Sequence, residues 1–359
     1  MEMREKMERV KFSEKELEHI GEYMTPGGPM PRYATPVTAR ENYLNMLKGE
    51  KPLWMPIYYD FRTFVPKIVP DHVARAFVIE SEAISREEMG GKDMFGIDWE
   101  YIDVAGGSMV KPGAPLLEDA SEWREKVVFP AIESWDWEGC RARNDAFLHT
   151  ERVTVMWFFT GLYERLISFM DFEGAVMALI DEDQKQHVHD LFDKLCDLYI
   201  QIIDKYKEYF DLDVLYFHDD WGAQRAPFFS LDTCREMLVP YLRRIVDFCH
   251  KNHIVFEFHS CGKNEMLVPA MVEAGVDVWA GQPINDKALL YEKYGKDIVL
   301  GVDIDFPENP TDEQAEEAVR AFLEKYGQDM EEKPVYCCTL VMPQNVREQL
   351  YIQSRKLFA

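Results

Sequence analysis

The sequence of 359 residues lacks several features that define whole classes of protein. It has no uninterrupted apolar run near the roughly 18–20 residues that a membrane-spanning helix needs, and its N-terminal segment is charged where an export signal is apolar. Basic residues are few: 40 Lys and Arg stand against 65 Asp and Glu, a net charge of −25. So acidic a surface repels phosphate backbones and anionic lipid headgroups. We therefore expect no nucleic-acid partner, no membrane association and a cytoplasmic location.

Common signatures of nucleotide and ester chemistry are also missing. The chain has no Walker-type phosphate loop, no Rossmann glycine fingerprint after a strand and no Gly-X-Ser-X-Gly elbow. Its seven cysteines are an odd number spread over a long chain, unlike the disulfide framework of a small secreted domain. Nucleotide hydrolysis, nicotinamide hydride transfer and elbow-type esterase chemistry lose support, and the thiols remain for core packing or metal binding.

Short β-branched or aromatic runs recur along the chain and alternate with segments that have apolar residues at helical spacing. Many of these runs are apolar at every position, as in parallel strands that are covered on both faces. We predict an α/β fold, a closed (β/α)8 TIM barrel, with a doubly wound open sheet as the alternative. The eight predicted strands are residues 54–59, 100–104, 153–159, 214–218, 254–259, 276–280, 298–302 and 335–338.

Two segments fall outside this alternation. Residues 1–50 predict an N-terminal helical extension, broken by the turn-rich stretch 26–31, that packs as a cap on the barrel. The barrel is predicted to comprise residues 51–359. Within it, residues 105–150 are rich in Gly, Pro and Trp and predict an inserted loop or subdomain between strands 2 and 3.

The strongest chemical signal is Phe-His-Ser-Cys-Gly at 258–262, where the fifth predicted strand ends. His259 and Cys261 are two residues apart, so both side chains can point into the carboxyl end of the barrel, where barrel active sites lie. The eighth predicted strand ends in Cys337 and Cys338, of which one can point inward. One nitrogen and two sulfur donors with an open fourth position are typical of catalytic zinc. The alternative is that each is an ordinary buried residue.

With this pattern and Asp-Asp-Trp-Gly at 219–222, the sequence resembles the uroporphyrinogen decarboxylase superfamily, and within it the zinc-dependent, corrinoid-linked methyltransferase branch. Arg-Glu-Asn at 40–42 and Leu-Trp-Met-Pro at 53–56 also resemble its N-terminal pattern, and the resemblance extends over most of residues 36–357. It implies a zinc site whose ligands are His259, Cys261 and Cys338. Cys337 is the alternative to Cys338 as the third ligand.

The resemblance implies a corrinoid-linked methyltransferase, and aromatic residues at several predicted strand ends favour the O-demethylating direction. It would move a methyl group from a methylated substrate, preferably a phenyl methyl ether, to the cob(I)alamin of a separate corrinoid protein, so the cofactors would be Zn²⁺ and partner-bound cobalamin. The alternatives are methyl transfer from methylcobalamin to a thiol or folate, a lyase similar to uroporphyrinogen decarboxylase, and a non-enzymatic zinc-binding protein. Decarboxylation is less favoured, because Tyr-Tyr-Asp-Phe-Arg at 58–62 replaces the Arg-rich motif that holds the substrate carboxylates of true decarboxylases.

Further candidates follow the ends of other predicted strands. In the resembling family the pair Asp219 and Asp220 lines the pocket, and we expect catalytic roles for this pair and for His218, since a buried carboxyl group can orient a substrate or protonate a leaving group. The alternative for the pair is a helix N-cap. Aromatic residues at several strand ends suggest a flat, apolar substrate. The expected substrate-binding residues are Tyr58, Phe158, Trp221, Gln282 and Asp303.

Overall fold

The structure is a computed structural model that describes residues 10–25, 28–104 and 106–358. Its strands are β1 (His19–Thr25), β2 (Gly28–Tyr33), β3 (Phe61–Phe64), β4 (Gly91–Lys92), β5 (Asp98–Ile102), β6 (Gly107–Val110), β7 (Val153–Phe158), β8 (Val214–His218), β9 (Val255–His259), β10 (Val278–Trp279), β11 (Val299–Val302) and β12 (Val335–Cys337). Its α-helices are α1 (Ala39–Leu47), α2 (Pro70–Ala74), α3 (Trp123–Lys126), α4 (Trp137–Leu148), α5 (Leu162–Ala178), α6 (Lys185–Phe210), α7 (Leu231–Met237), α8 (Val239–Lys251), α9 (Val268–Ala274), α10 (Lys287–Tyr294), α11 (Asp312–Tyr326) and α12 (Gln344–Phe358). Short 3-10 helices cover Glu14–Leu17, Tyr58–Asp60, Arg86–Glu88, Ala120–Glu122, Ile132–Ser134 and Glu265–Leu267.

The chain forms two compact units. The smaller unit comprises Met1–Phe61, Glu151–Val153 and Tyr291–Ala359. The larger unit comprises Arg62–Thr150 and Thr154–Leu290.

The larger unit is built on parallel strands. Strands β7, β8, β9 and β10 are hydrogen-bonded to one another in that order. Adjacent residues of β7, such as Val155 and Met156, are both buried. Because successive side chains of a strand point to opposite faces, both faces of this strand are covered. In α6, buried residues such as Leu191, Leu195 and Leu198 recur at spacings of three and four, which gives the helix one apolar face.

The smaller unit contains the last two parallel strands. Strand β11 pairs with β12, and Ile57 forms an isolated parallel bridge with Cys337. Helix α11 begins at a capping box, in which the Thr311 hydroxyl accepts a hydrogen bond from the Gln314 backbone and the Gln314 side chain bonds back to the Thr311 N–H. Such reciprocal caps satisfy two of the backbone groups that a helix leaves without intrahelical partners.

The α/β class that the sequence predicts is confirmed. Seven strands, β3 and β7 to β12, make up the principal parallel sheet, and helices follow most of them along the chain. This is a TIM-barrel-like fold. The predicted strands at 153–159, 214–218 and 254–259 match β7, β8 and β9 within one residue.

The second predicted barrel strand, at 100–104, is wrong. Strand β5 covers that region but lies between β4 and β6 in a separate three-stranded antiparallel sheet. Trp99 is buried while its neighbours Asp98 and Glu100 are exposed, and this alternation suits an antiparallel strand with one solvated face. The insertion predicted at 105–150 is therefore part of a longer segment between β3 and β7 that also holds α2, β4 and β5.

The N-terminal region differs from the helical extension predicted for residues 1–50. After one 3-10 turn, strands β1 and β2 form an antiparallel hairpin, and α1 is the first α-helix among the described residues. The charged and polar residues of this region suit an exposed hairpin as well as a helix, which is why composition alone did not separate the two. The proposed division into a 1–50 cap and a 51–359 barrel stays a prediction.

None of the described helices is both long enough and apolar enough to cross a membrane.

Candidate metal centre

Two histidines lie side by side where neighbouring strands of the larger unit end. Strands β8 and β9 are paired so that His218 is opposite His259, and the two ring centroids are 5.1 Å apart. The residues before each histidine are mostly buried, so the change from apolar to polar side chains occurs at the same level in both strands. The carboxyl ends of the strands thereby present both imidazoles together.

Four potential ligands converge there. One ligand atom each from His218, Asp220, His259 and Cys261 lies within 4.8 Å of the others. The Cys261 Sγ is 3.6 Å from His259 Nε2, and His218 Nε2 is 3.8 Å from Asp220 Oδ1. We call these four residues the ligand cluster.

The His259 ring is held in the form that binds a metal. Its Nδ1 is 3.0 Å from the Ala280 carbonyl oxygen, and because a carbonyl only accepts, Nδ1 carries the proton. Burial, together with the neighbouring His218, lowers the pKa of His259 to about 3, so the ring is neutral near pH 7. The Nε2 lone pair is consequently available beside Cys261.

The loop that carries Cys261 is fixed by hydrogen bonds. Its backbone N–H donates to Asp220 Oδ1 at 2.6 Å, its carbonyl accepts from Asn264 Nδ2 at 2.6 Å, and the next N–H, of Gly262, donates to Gln282 Oε1 at 2.8 Å. Burial, with the Asp220 carboxylate nearby, raises the pKa of the Cys261 thiol above its usual range. A bound metal would displace that proton, since the thiolate is the ligand form. Gln282, expected to contact substrate, positions this loop.

Glycine is required at position 262. Its φ is +96°, and a Cβ there would lie 2.4 Å from the carbonyl carbon and oxygen of Gly222. The two loops that follow β8 and β9 therefore approach each other at backbone distance.

Behind His218 lies an ion pair that the sequence analysis missed. Glu164, in the first turn of α5, bonds His218 Nδ1 at 2.9 Å through Oε2 and Arg75 Nη1 at 2.6 Å through Oε1. Burial alone would raise the pKa of Glu164, but Arg75 and His218 lower it to about 2. The charged carboxylate accepts a hydrogen bond from the Nδ1–H of His218, which leaves Nε2 facing the ligand cluster. Nothing in the local sequence distinguishes Glu164 from an ordinary acidic residue in a first helical turn.

Asp219 follows β8 and accepts hydrogen bonds from the first turn of helix α5. Its Oδ1 accepts from the Glu164 N–H at 2.8 Å, and its Oδ2 accepts from the Tyr163 N–H at 3.1 Å and the Trp221 indole at 3.0 Å. Burial raises the pKa of Asp219 to about 7, although these three donors favour the charged form. Because all three contacts are structural, Asp219 holds Glu164 in place, whereas Asp220 reaches the ligand cluster itself.

A row of stacked rings leads up to His259. The centroids of Phe77 and Trp157 are 4.5 Å apart, those of Trp157 and Tyr216 are 4.2 Å apart, and those of Tyr216 and His259 are 5.4 Å apart, with interplanar angles of 11°, 16° and 21°. All four side chains are half-buried. We call Phe77, Trp157 and Tyr216 the aromatic wall. Its flat faces suit a planar apolar group beside the ligand cluster.

Two residues expected to contact substrate lie in the core of the larger unit. Phe158 is stacked on Phe217 with centroids 5.4 Å apart, and Trp221 lies 4.4 Å from Phe258. Each is only 1% exposed. They pack against β8 and β9, the strands that carry the site, on the buried side.

The remaining predicted residues belong to the smaller unit. The Cys338 thiol lies 3.5 Å from Asp303 Oδ1, while Cys337 is fully buried and Tyr58 is half-buried in a 3-10 turn. Of the two adjacent thiols, Cys338 is thus the more accessible.

This chain is similar to known proteins in its sequence profile and in its fold. The profile of the family Uroporphyrinogen decarboxylase (URO-D) matches residues 146–336, more than half of the chain and the part that contains the ligand cluster. A solved methyltransferase from Methanosarcina mazei is similar over 90% of this chain and 99% of its own, with 15% identity and a TM-score of 0.58, which shows a shared fold. A sugar phosphate isomerase/epimerase from Parabacteroides distasonis covers 64% of this chain and 79% of its own at 8% identity and a TM-score of 0.32. No curated protein sequence matches the chain.

Proposed function

Because this chain belongs to the uroporphyrinogen decarboxylase family, we propose that it is a zinc-dependent, cobalamin-linked methyltransferase. It moves a methyl group from a methylated substrate, of which a phenyl methyl ether is the preferred candidate, to the cob(I)alamin of a separate corrinoid protein. The fold that the chain shares with the Methanosarcina mazei methyltransferase supports this choice.

The observation that carries the proposal is the pairing of His259 with Cys261. A neutral imidazole nitrogen 3.6 Å from a thiol, with a second histidine and a carboxylate within 4.8 Å, is a donor set that suits zinc. Zinc bound there would supply a Lewis acid that stabilises the oxygen or sulfur anion of the substrate.

The chain's own residues have distinct tasks in this scheme. Asp220 holds the backbone of Cys261, and Glu164, charged and paired with Arg75, orients His218. The aromatic wall binds a planar ring beside them and excludes water from it. His259 and Cys261 are two of the metal ligands. The family pattern suggests Cys338 as the third ligand. The distances in the larger unit suggest Asp220 instead.

Metal content per chain tests the proposal and separates the two ligand sets. We expect about one zinc per chain in the wild type, a loss in Cys261→Ser, and a loss in either Cys338→Ser or Asp220→Asn. Cys249→Ser is the matched control, because this thiol is buried in α8 and lies outside the ligand cluster. If the wild type binds no zinc even after addition of the metal, the proposed chemistry is wrong.

A second assay tests the substrate class. Under anaerobic conditions, cob(I)alamin absorbance should disappear when a methoxyarene is added with the zinc-loaded protein. Consumption of methylcobalamin only in the presence of a thiol or folate would instead indicate the opposite direction of transfer.

A further inference from the structure

The smaller unit contains a cavity that the proposed methyl transfer does not use. Its volume is about 110 Å³, which leaves room for a small organic molecule. Its walls are the hairpin of β1 and β2, the segment 54–60 and helix α12. No residue of the ligand cluster or of the aromatic wall lines it.

One face of α12 forms a wall of this cavity. The lining residues Gln344, Arg347, Glu348 and Tyr351 are spaced three and four apart, so they lie on the same side of the helix. Val346 and Leu350, on another side, are fully buried. The helix therefore keeps a polar and aromatic face towards the cavity while its apolar face packs in the core.

Aromatic rings make up much of the lining. These rings belong to Tyr23, Tyr33, Trp54, Tyr59 and Tyr351. The hydroxyls of Tyr33, Tyr59 and Tyr351 donate to Glu348, to the Leu340 carbonyl and to Glu16. These tyrosines therefore offer a ligand their ring surfaces more than their hydroxyl groups.

Some of these rings already bind cations of the chain itself. The Arg347 guanidinium is 4.6 Å from the Tyr59 centroid, and the Arg152 guanidinium is 5.0 Å from that of Tyr23. Among the described residues, no Lys or Arg lies over Tyr33, Trp54 or Tyr351. The faces of these three aromatic rings, which attract cations, therefore have no cationic side chain of the described residues over them.

The charged lining is mainly acidic. Asp60, Glu151 and Glu348 line the cavity, and Arg347 is the one basic side chain among the described lining residues. Glu151 pairs with Arg32, and Glu348 accepts from Tyr33 at 2.6 Å and Gln344 at 2.8 Å. Arg32, which pairs with Glu151, and Arg152, whose charge acts on Asp60, offset part of this acidity.

Asp60 is a lining carboxylate whose two hydrogen-bond partners are neutral groups. Its Oδ2 accepts from the Ile57 N–H at 3.0 Å, and the Trp54 side chain is its other hydrogen-bond partner. Within the described part of the chain, it makes no ion pair. Burial raises the pKa of Asp60 to about 7, although the Ile57 N–H, the Arg152 guanidinium and the Trp54 side chain all favour the charged form.

We propose that this cavity binds an organic ammonium cation with apolar substituents, such as a methylated amine. Asp60 supplies the opposite charge, and the rings of Tyr33, Trp54 and Tyr351 surround the alkyl groups. A hydrated inorganic cation fits less well, since it needs more oxygen ligands than the aromatic lining provides. The proposal is independent of the zinc site and of methyl transfer.

Isothermal titration of the full chain with choline tests the proposal. We expect saturable binding of one choline per chain. The neutral isostere 3,3-dimethyl-1-butanol has the same shape without the charge, and it should bind at least about tenfold more weakly. Binding of both compounds with equal affinity would show an apolar pocket that does not recognise charge, and would overturn the proposal, as would no saturable binding of choline.

Two variants test whether choline binds in this cavity. Asp60→Asn keeps the size and an acceptor for the Ile57 N–H, and it should weaken choline binding at least about tenfold. Met30→Lys, on the hairpin, should abolish binding by placing an ammonium group in the cavity. The control Glu332→Gln, exposed and paired with Lys296 in the same unit, should bind as the wild type does. Wild-type affinity in both cavity variants would contradict the assignment.

Discussion

At the scale of single residues, the position of Cys261 depends on Gly262. Its φ of +96° and the 2.4 Å approach of a Cβ to Gly222 leave no room for a side chain. We expect Gly262→Ala to move the loop and lower zinc affinity by at least about tenfold, measured by competition with a chromophoric chelator. Gly113→Ala is the matched control, because its φ is +84° but its Cβ would meet nothing within 4 Å. Equal zinc affinity in the two variants would show that the clash has no effect on the site.

The ion pair behind His218 makes a second prediction. Glu164→Gln keeps the shape of the side chain but removes the charge that holds Arg75 and His218. Zinc affinity should fall by about 10–100-fold, as is usual when a partner of a metal-binding histidine is lost. The control is Glu173→Gln, an exposed residue of the same helix. If His218 does not help to hold the metal, the Glu164 variant will bind zinc as the control does.

The sequence singled out all four residues of the ligand cluster, His259 and Cys261 as metal ligands and His218 and Asp220 as catalytic residues, but not the residues that hold them. His218, Asp220, His259 and Cys261 follow directly from strand ends, because the carboxyl ends of parallel strands meet at one edge. Glu164 lies on a helix and reaches the site only through the geometry of α5, which one sequence does not reveal. The same limit applies to the hydrogen bonds that Asp219, adjacent to Asp220, accepts from the first turn of α5.

At the scale of elements, strands with two covered faces were the easiest to predict. Strands β7, β8 and β9 are short apolar runs, which have few alternative structures when helical segments flank them. Strand β5 was assigned to the wrong sheet, because the sequence shows that a segment is extended but not which partner it pairs with. The hairpin of β1 and β2 was missed for a related reason: its pairing joins polar, weakly patterned residues.

The attachment of the N-terminal 3-10 helix to α12 makes an element-scale prediction. Arg355 donates to both carboxylate oxygens of Glu16, at 2.8 and 2.9 Å, and its side chain is fully buried. Glu16→Gln should lower the free energy of unfolding by about 3 kcal/mol, because it leaves a buried guanidinium without its counter-charge. Urea unfolding measures this change. Glu14→Gln, on the same 3-10 helix but without a described partner, should change stability little.

The same contact predicts a pH dependence. Burial alone would raise the pKa of Glu16, but Arg355 and Tyr351 lower it below its ordinary value of 4.5. A lowered pKa in the folded state means that the stabilisation is complete above the unfolded value and is lost as the pH falls through the folded one. The difference in stability between wild type and Glu16→Gln should therefore narrow below about pH 4.5. A difference that stays constant down to pH 3 would contradict the proposed ion pair.

At the scale of the whole molecule, the net charge of −25 sets how salt acts on stability. Two effects oppose each other: salt screens the repulsion among excess carboxylates, and it also weakens favourable surface pairs such as Arg235 with Glu273. Exposed pairs contribute about 0–1 kcal/mol each, and buried ones such as Arg165 with Asp93 are hardly screened. Relief of repulsion should therefore dominate.

We expect the thermal midpoint to rise by several degrees between about 0.02 and 0.3 M NaCl, since the Debye length falls from tens of ångströms to a few over this range. Circular dichroism measures the midpoint, and a parallel series in KCl shows whether the effect depends on ionic strength or on the particular cation. A midpoint that falls with salt would mean that the surface ion pairs outweigh the repulsion. The surface carboxylates would then be largely compensated by paired cations. The net charge would in that case not govern the rate at which the molecule associates with a charged partner.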